Sequence, residues 1–207
     1  AVSDNELNKP YDLLKKVSNW RRFYAVINAA SVFMEKAPRT VELDRSYSEQ
    51  NLKYDIAQVR ALRAFAYFYM VRIWGDVPLV TYSYDNGTFP SMPRTDAQTV
   101  LSYAKAELLT AIEDLPYQYG TQTNLYYGSY GAQWQGKLFN KLSAYSVLAH
   151  ICAWQGNYAE AETYSAFIID HASEINAKYT SIADLTSETG LFYSNASVKG
   201  SRILGFN

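Results

Sequence analysis

The sequence predicts a mainly α-helical fold, built from tetratricopeptide-like helical hairpins with long aromatic loops and little β-structure. Apolar residues recur at threes and fours over five stretches, the signature of helices with one buried face. Apart from Pro10, prolines and glycines fall between those stretches and not inside them. Hydrophobic residues make up 48% of the 207, enough for a buried core in a single domain covering 1–207, and too many for a disordered chain.

The first stretch, 5–36, carries Leu13, Leu14, Val17, Trp20, Phe23, Tyr24, Ile27, Ala30 and Phe33 at helical spacing, and Pro38 ends it. The second, 47–74, opens on a capping box formed by Ser46 and Glu49 and closes at Gly75, which can take positive φ. Its apolar face widens toward Ile73, which predicts a central place in the core. Residues 76–94 contain Pro78, Pro90 and Pro93 and no helical period, so they read as extended or turn-like. A third helix, 95–115, starts at Thr95 with Gln98 as capping partner, shows Leu101, Ala104, Leu108, Ile112 and Leu115, and stops at Pro116. After a second long loop, 117–136, come helices 138–155 and 158–173, separated by Gly156 and by Asn157, an N-cap with Glu160 three residues on. Small residues Ala144 and Ala149 let this last pair approach closely, as in a tetratricopeptide hairpin. The pair 47–74 and 95–115 reads as the same unit with an insertion at its turn, Gly75 and Gly156 being equivalent. The tail, 174–207, is mixed, with a short strand candidate at 202–206.

Nineteen basic against twenty acidic residues, with no long run of either sign, leave no footprint for nucleic acid or a polybasic membrane patch. Cys152 is the single cysteine, which excludes an intrachain disulfide and a cysteine zinc site and fits a buried thiol. Two histidines, His150 and His171, cannot build a His-rich metal centre, and His150 reads as a satisfied core residue. No HExxH, GxSxG, GxGxxG or phosphate-binding glycine loop is present, so no catalytic residue, metal or cofactor is expected. Carboxylate pairs such as Glu113/Asp114 and Glu160/Glu162 face different sides of their helices and read as surface solvation. No apolar run approaches the ~20 residues that span a bilayer.

Several segments together resemble the SusD/RagB family. Residues Asn19 to Ala30, NWRRFYAVINAA, are similar to its first signature helix. Val59 to Phe68, VRALRAFAYF, followed by Val71 to Val80, VRIWGDVPLV, resemble its second and most specific block. Pro93-Arg94-Thr95 and the helix ending Glu113-Asp114-Leu115-Pro116 also fit. The match lies in the family's N-terminal, tetratricopeptide-like portion; its loop-rich C-terminal half, secretion signal and lipid-bearing cysteine are not in this sequence. The resemblance implies an outer-membrane, cell-surface lipoprotein that captures oligosaccharide without catalysis and delivers it to a SusC-like TonB-dependent transporter. Membrane association is then expected only through a lipid anchor absent from this chain. The arginines of the second block, Arg60, Arg63 and Arg72, sit among apolar neighbours, which predicts that at least one pairs with a buried carboxylate. Asp76 is placed to cap backbone donors of the turn.

The loop 117–136 holds five tyrosines, one tryptophan, four glycines and no charge. So many rings must pack on something. One reading is a sugar platform, with pyranose faces on Tyr126, Tyr127, Tyr130 or Trp134 and Asn124 bonded to hydroxyls. The other is that the rings fold back over the helices or meet the family's C-terminal half. Tyr82 and Tyr84, beside an Asp85-Asn86-Gly87 turn, form a smaller candidate surface. Asp4, Asn5 and Asn19 are weaker candidates near the first signature helix. A tetratricopeptide scaffold that binds protein and no sugar is the alternative function.

Overall fold

A computed structural model describes residues 19–85, 90–121, 128, 134 and 136–177. They form α1 (Arg21–Lys36), α2 (Pro38–Leu43), α3 (Glu49–Trp74), α4 (Ala97–Asp114), α5 (Lys141–Trp154) and α6 (Tyr158–Asp170), followed by a 3-10 turn at Ala172–Ile175. Helix α3 packs along α4 and receives α1 on another side, while α5 packs along α6 and against α4. The helical hairpins expected from the sequence are therefore present, with α3 at the centre. Val77 and Thr95 pair in an isolated antiparallel β-bridge.

Small residues bring the helices together. Ala57, Ala61 and Ala64 lie on one face of α3 and are buried with Leu101, Ala104 and Leu108 of α4 and Leu148 and Ile151 of α5. Larger side chains, Tyr67, Met70 and Val71, fill the wider end of α3. Each fully buried Leu, Ile or Met contributes roughly 1.5–3 kcal/mol of transfer free energy. Cys152 is buried in α5, as expected.

One charged group crosses this core. Arg63 is 5% exposed and Glu107 8% exposed. Arg63 donates Nε–H to Glu107 Oε2 at 3.1 Å, and its Nη1 reaches Ser31 Oγ at 2.9 Å. Arg60 donates to the other carboxylate oxygen at 2.9 Å. A single acid thus holds two guanidinium groups, and Arg63 joins α1, α3 and α4.

The helix starts differ from the sequence reading, and tertiary partners explain why. Helix α3 is capped by Ser48, whose Oγ accepts from Asn51 N–H, while Ser46 bonds Asp44. Helix α4 is capped by Asp96 and not Thr95, because Thr95 exchanges backbone hydrogen bonds with Val77. Helix α5 starts at Lys141 behind the cap Asn140, since Gln58 takes both the N–H and the C=O of Phe139 out of any helix. Pro38 follows the end of α1 but also opens α2, where a missing N–H costs nothing. Helix α6 ends at Asp170, and the 3-10 turn replaces its expected last turn. His150 is exposed on α5, not a core residue. Glu160 is no idle surface acid: it pairs with Lys105 of α4 at 2.5 Å, fastening α6 to the neighbouring hairpin. Residues 5–18 and the strand candidate 202–206 lie outside the described residues.

Candidate functional site

The first signature helix works as a clamp. Trp20, the residue that precedes α1, and Tyr24 and Asn28 within it recur every four residues, forming a stripe along one face. Trp20 meets Trp74 at 6.2 Å between ring centroids, and Arg94 lies 5.3 Å over its ring. Tyr24 donates its hydroxyl to Pro78 O at 2.6 Å. Burial pushes that phenol's pKa up, against the pull of Arg94, so it stays protonated as a donor. Asn28 bonds Tyr84 twice, accepting from its N–H at 2.7 Å and donating to its C=O at 3.0 Å.

The extended segment 77–85 is therefore held at nearly every residue. Tyr67 OH both accepts from Val80 N–H and donates to Val80 C=O, each at 2.8 Å, replacing a missing strand partner. Glu35 accepts from Ser83 N–H at 2.9 Å and from its hydroxyl, and Lys36 pairs with Asp85 at 2.7 Å. The Ser83 hydrogen bonds hold the Glu35 carboxyl below its ordinary range, and the Lys36 bond does the same for Asp85. Asp76 accepts from Ala97 N–H at 2.9 Å, so it caps the start of α4, across the insertion from its own turn.

On this frame sit Tyr82 and Tyr84. Their ring centroids are 5.0 Å apart with planes inclined by 46°, and Tyr84 OH lies 2.7 Å from Tyr82 OH. Tyr82 is 52% exposed. That hydrogen bond, ahead of burial, raises the Tyr84 pKa. The pair offers a ring face and two hydroxyls on a backbone fixed in place. Asn19 accepts from Arg21 N–H at 3.0 Å and serves the start of α1.

The second candidate surface is split. Tyr119 is buried, and its hydroxyl donates to Phe139 O at 2.8 Å, in reach of Gln58 as well. Tyr117 stacks on His171, their planes 8° apart. Both rings thus fold back onto the helices. Trp134 stays 37% exposed and lines a cleft of about 200 Å³ with Tyr117, Thr121, Asn140 and Ile175. Asn124, Tyr126, Tyr127 and Tyr130 lie outside the described residues, as do Asp4 and Asn5.

Sequence reasoning nominated Tyr82, Tyr84 and Trp134 but not the groups that set Tyr82 and Tyr84, Asn28 and Glu35. The signal for Asn28 was the four-residue stripe on α1, which names a face without naming what it grips; Glu35 lies off that spacing.

No protein-family model matches the chain. It is 30% identical to the SusD-like protein P38 of Formosa agariphila over 147 residues, 70% of this chain and 24% of that relative. Its fold matches a laminarin-binding SusD-like protein with TM-score 0.62 and 24% identity, over 82% of this chain and 34% of that one. A SusD-like carbohydrate-binding protein of Bacteroides fragilis matches with TM-score 0.63 and 22% identity, over 84% of this chain and 30% of that one. The chain spans about a quarter of the length of the P38 relative and about a third of the two structures. With the two signature blocks clamped together as α1 on the turn after α3, the chain belongs to the SusD/RagB-like family.

Proposed function

We propose that this chain captures oligosaccharide without turning it over, at the bacterial outer-membrane surface, and hands it to a SusC-like TonB-dependent transporter. The observation that carries the reading is the Tyr82–Tyr84 pair, Tyr82 exposed and Tyr84 half-buried, whose backbone α1 holds through Asn28 and Glu35. A sugar binds weakly to any one ring, so a surface that needs no ordering on binding keeps more of the contact energy. The described carboxylates near this segment serve structure: Glu35 and Asp85 hold the loop, Asp76 and Asp96 cap α4. Relatives described as laminarin-binding and carbohydrate-binding support the ligand class. Trp134 and the tyrosines Tyr126, Tyr127 and Tyr130, with Asn124, are proposed as a second contact region for the same chain of sugars.

The test is a glycan array followed by calorimetry on the captured sugars. At roughly 1 kcal/mol per ring contact, the double variant Tyr82→Ala/Tyr84→Ala should lose about ten- to thirty-fold in affinity. The thermal melt should move little, because Tyr82 is exposed and Tyr84 is held by its backbone. Sugars recovered after incubation should be intact. Silence of the wild-type chain on the array, or cleavage of a captured glycan, ends this reading.

A further inference from the structure

We infer that Arg72 and Trp154 form a separate contact site for an acidic sugar unit, one carrying a carboxylate or a sulfate ester. This rests on the glycan-capture reading and adds a ligand class and a place to it. Arg72 is exposed in the last turn of α3, and its guanidinium carbon lies 5.4 Å from the ring centroids of Phe68 and Tyr69 and 5.5 Å from that of Trp154. Four cations have acids: Arg60 and Arg63 share Glu107, Lys36 has Asp85 and Lys105 has Glu160. Arg72 has neither a carboxylate nor a hydrogen-bond acceptor among the described residues. Asp76, one turn further along the chain, uses Oδ1 on Ala97 N–H.

The carbonyl ends of α3 and α5 favour a cation here, but they leave its hydrogen-bonding edge unused. Val71 O already accepts from Gly75 N–H, and Ile151 O from Gln155 N–H. Three rings restrict the guanidinium without accepting its N–H groups in ordinary hydrogen bonds. An exposed guanidinium seated against three rings, with no acceptor of its own among the described residues, can bind an oxyanion through two parallel hydrogen bonds. Trp154 is 53% exposed at the end of α5, and Tyr158, 72% exposed, opens α6 beyond the Gly156 turn. An indole face beside the fork suits the C–H face of the same sugar. At the Tyr82–Tyr84 surface the nearby Lys36 charge is already neutralised by Asp85.

Calorimetry on the whole chain tests this with four probes: hexagalacturonate, its methyl ester, a sulfated galactan hexasaccharide and a neutral β-glucan hexasaccharide. The acidic probes should bind at least ten-fold more tightly than the methyl ester. Arg72→Lys, which keeps the charge and stem but not the fork, should erase most of that preference, and so should Trp154→Ala. Tyr82→Ala should leave the preference intact. Comparing the carboxylated and sulfated probes identifies the oxyanion. Equal affinity for acid and ester, or a preference that survives both variants, overturns the proposal while neutral-glucan binding leaves the capture reading standing. Failure of every probe overturns the acidic-sugar site, and the glycan array decides the capture reading separately.

Discussion

Glu107 neutralises a charge that would otherwise sit unpaired inside the helices. Removing it leaves Arg63 buried, with only Ser31 Oγ and the Thr81 carbonyl to accept its N–H groups. Breaking a buried pair on one side costs about 3–5 kcal/mol. Glu107→Ala should therefore lower the stability of the chain by that amount in urea unfolding, and a loss under about 1 kcal/mol would contradict the burial described. Pairing of one of the three arginines was legible from charged residues on an apolar helix. The partner was not, because 44 positions separate Arg63 from Glu107 and a lone glutamate on α4 looks like any solvated acid. Arg72, the third arginine, has rings and no acid around it, which periodicity could not distinguish from Arg63.

At the next scale, helix ends decide where the aromatic segments go. Gly75 has φ 70° and ψ −120°, a positive-φ conformation outside the left-handed helical basin and open to glycine alone. No atom lies within 4 Å of an added Cβ, so the cost of Gly75→Ala is backbone strain, about 1–3 kcal/mol. Thermal melts should show that loss. Gly156→Ala, at φ 79°, should be destabilising through the same cause. An unchanged melt for Gly75→Ala would mean the turn after α3 is not built this way. Both glycines were legible as helix ends. The starts were read less well, since Ser46 and Thr95 have the chemistry of caps but Asp44 and Val77 already hold them. A cap is a competition for one side chain or one backbone group, and distant competitors do not show in local spacing.

Across the molecule, carboxylates tie segments together: Glu35 to Ser83, Lys36 to Asp85, Asp96 to the start of α4 and Glu160 to Lys105. Hydrogen bonds to Ser83, Lys36, Thr99 and Lys105, respectively, are the chief reasons these acids sit below their ordinary pKa. A carboxyl with a depressed folded pKa adds stability above its unfolded pKa and loses it as pH falls through the folded value. The melting temperature should stay level from pH 7 to about pH 5 and fall below about pH 4. Glu35→Gln should flatten part of that fall, since the loop tie it makes no longer titrates. A flat profile down to pH 3 would contradict the ties.

The chain's apolar spacing, its punctuation by glycine and proline, and its two signature blocks were sufficient for the helical class, the paired helices and the central place of α3. These are properties of neighbours three and four residues apart, so they are written locally. The grip of α1 on residues 77–85, the shared acid of Arg60 and Arg63, and the inward packing of Tyr119 beside a half-exposed Trp134 came only with the folded arrangement. Each depends on which distant group reaches a given donor or ring first. That is settled by how close the small alanine faces let the helices come, and no local pattern carries it.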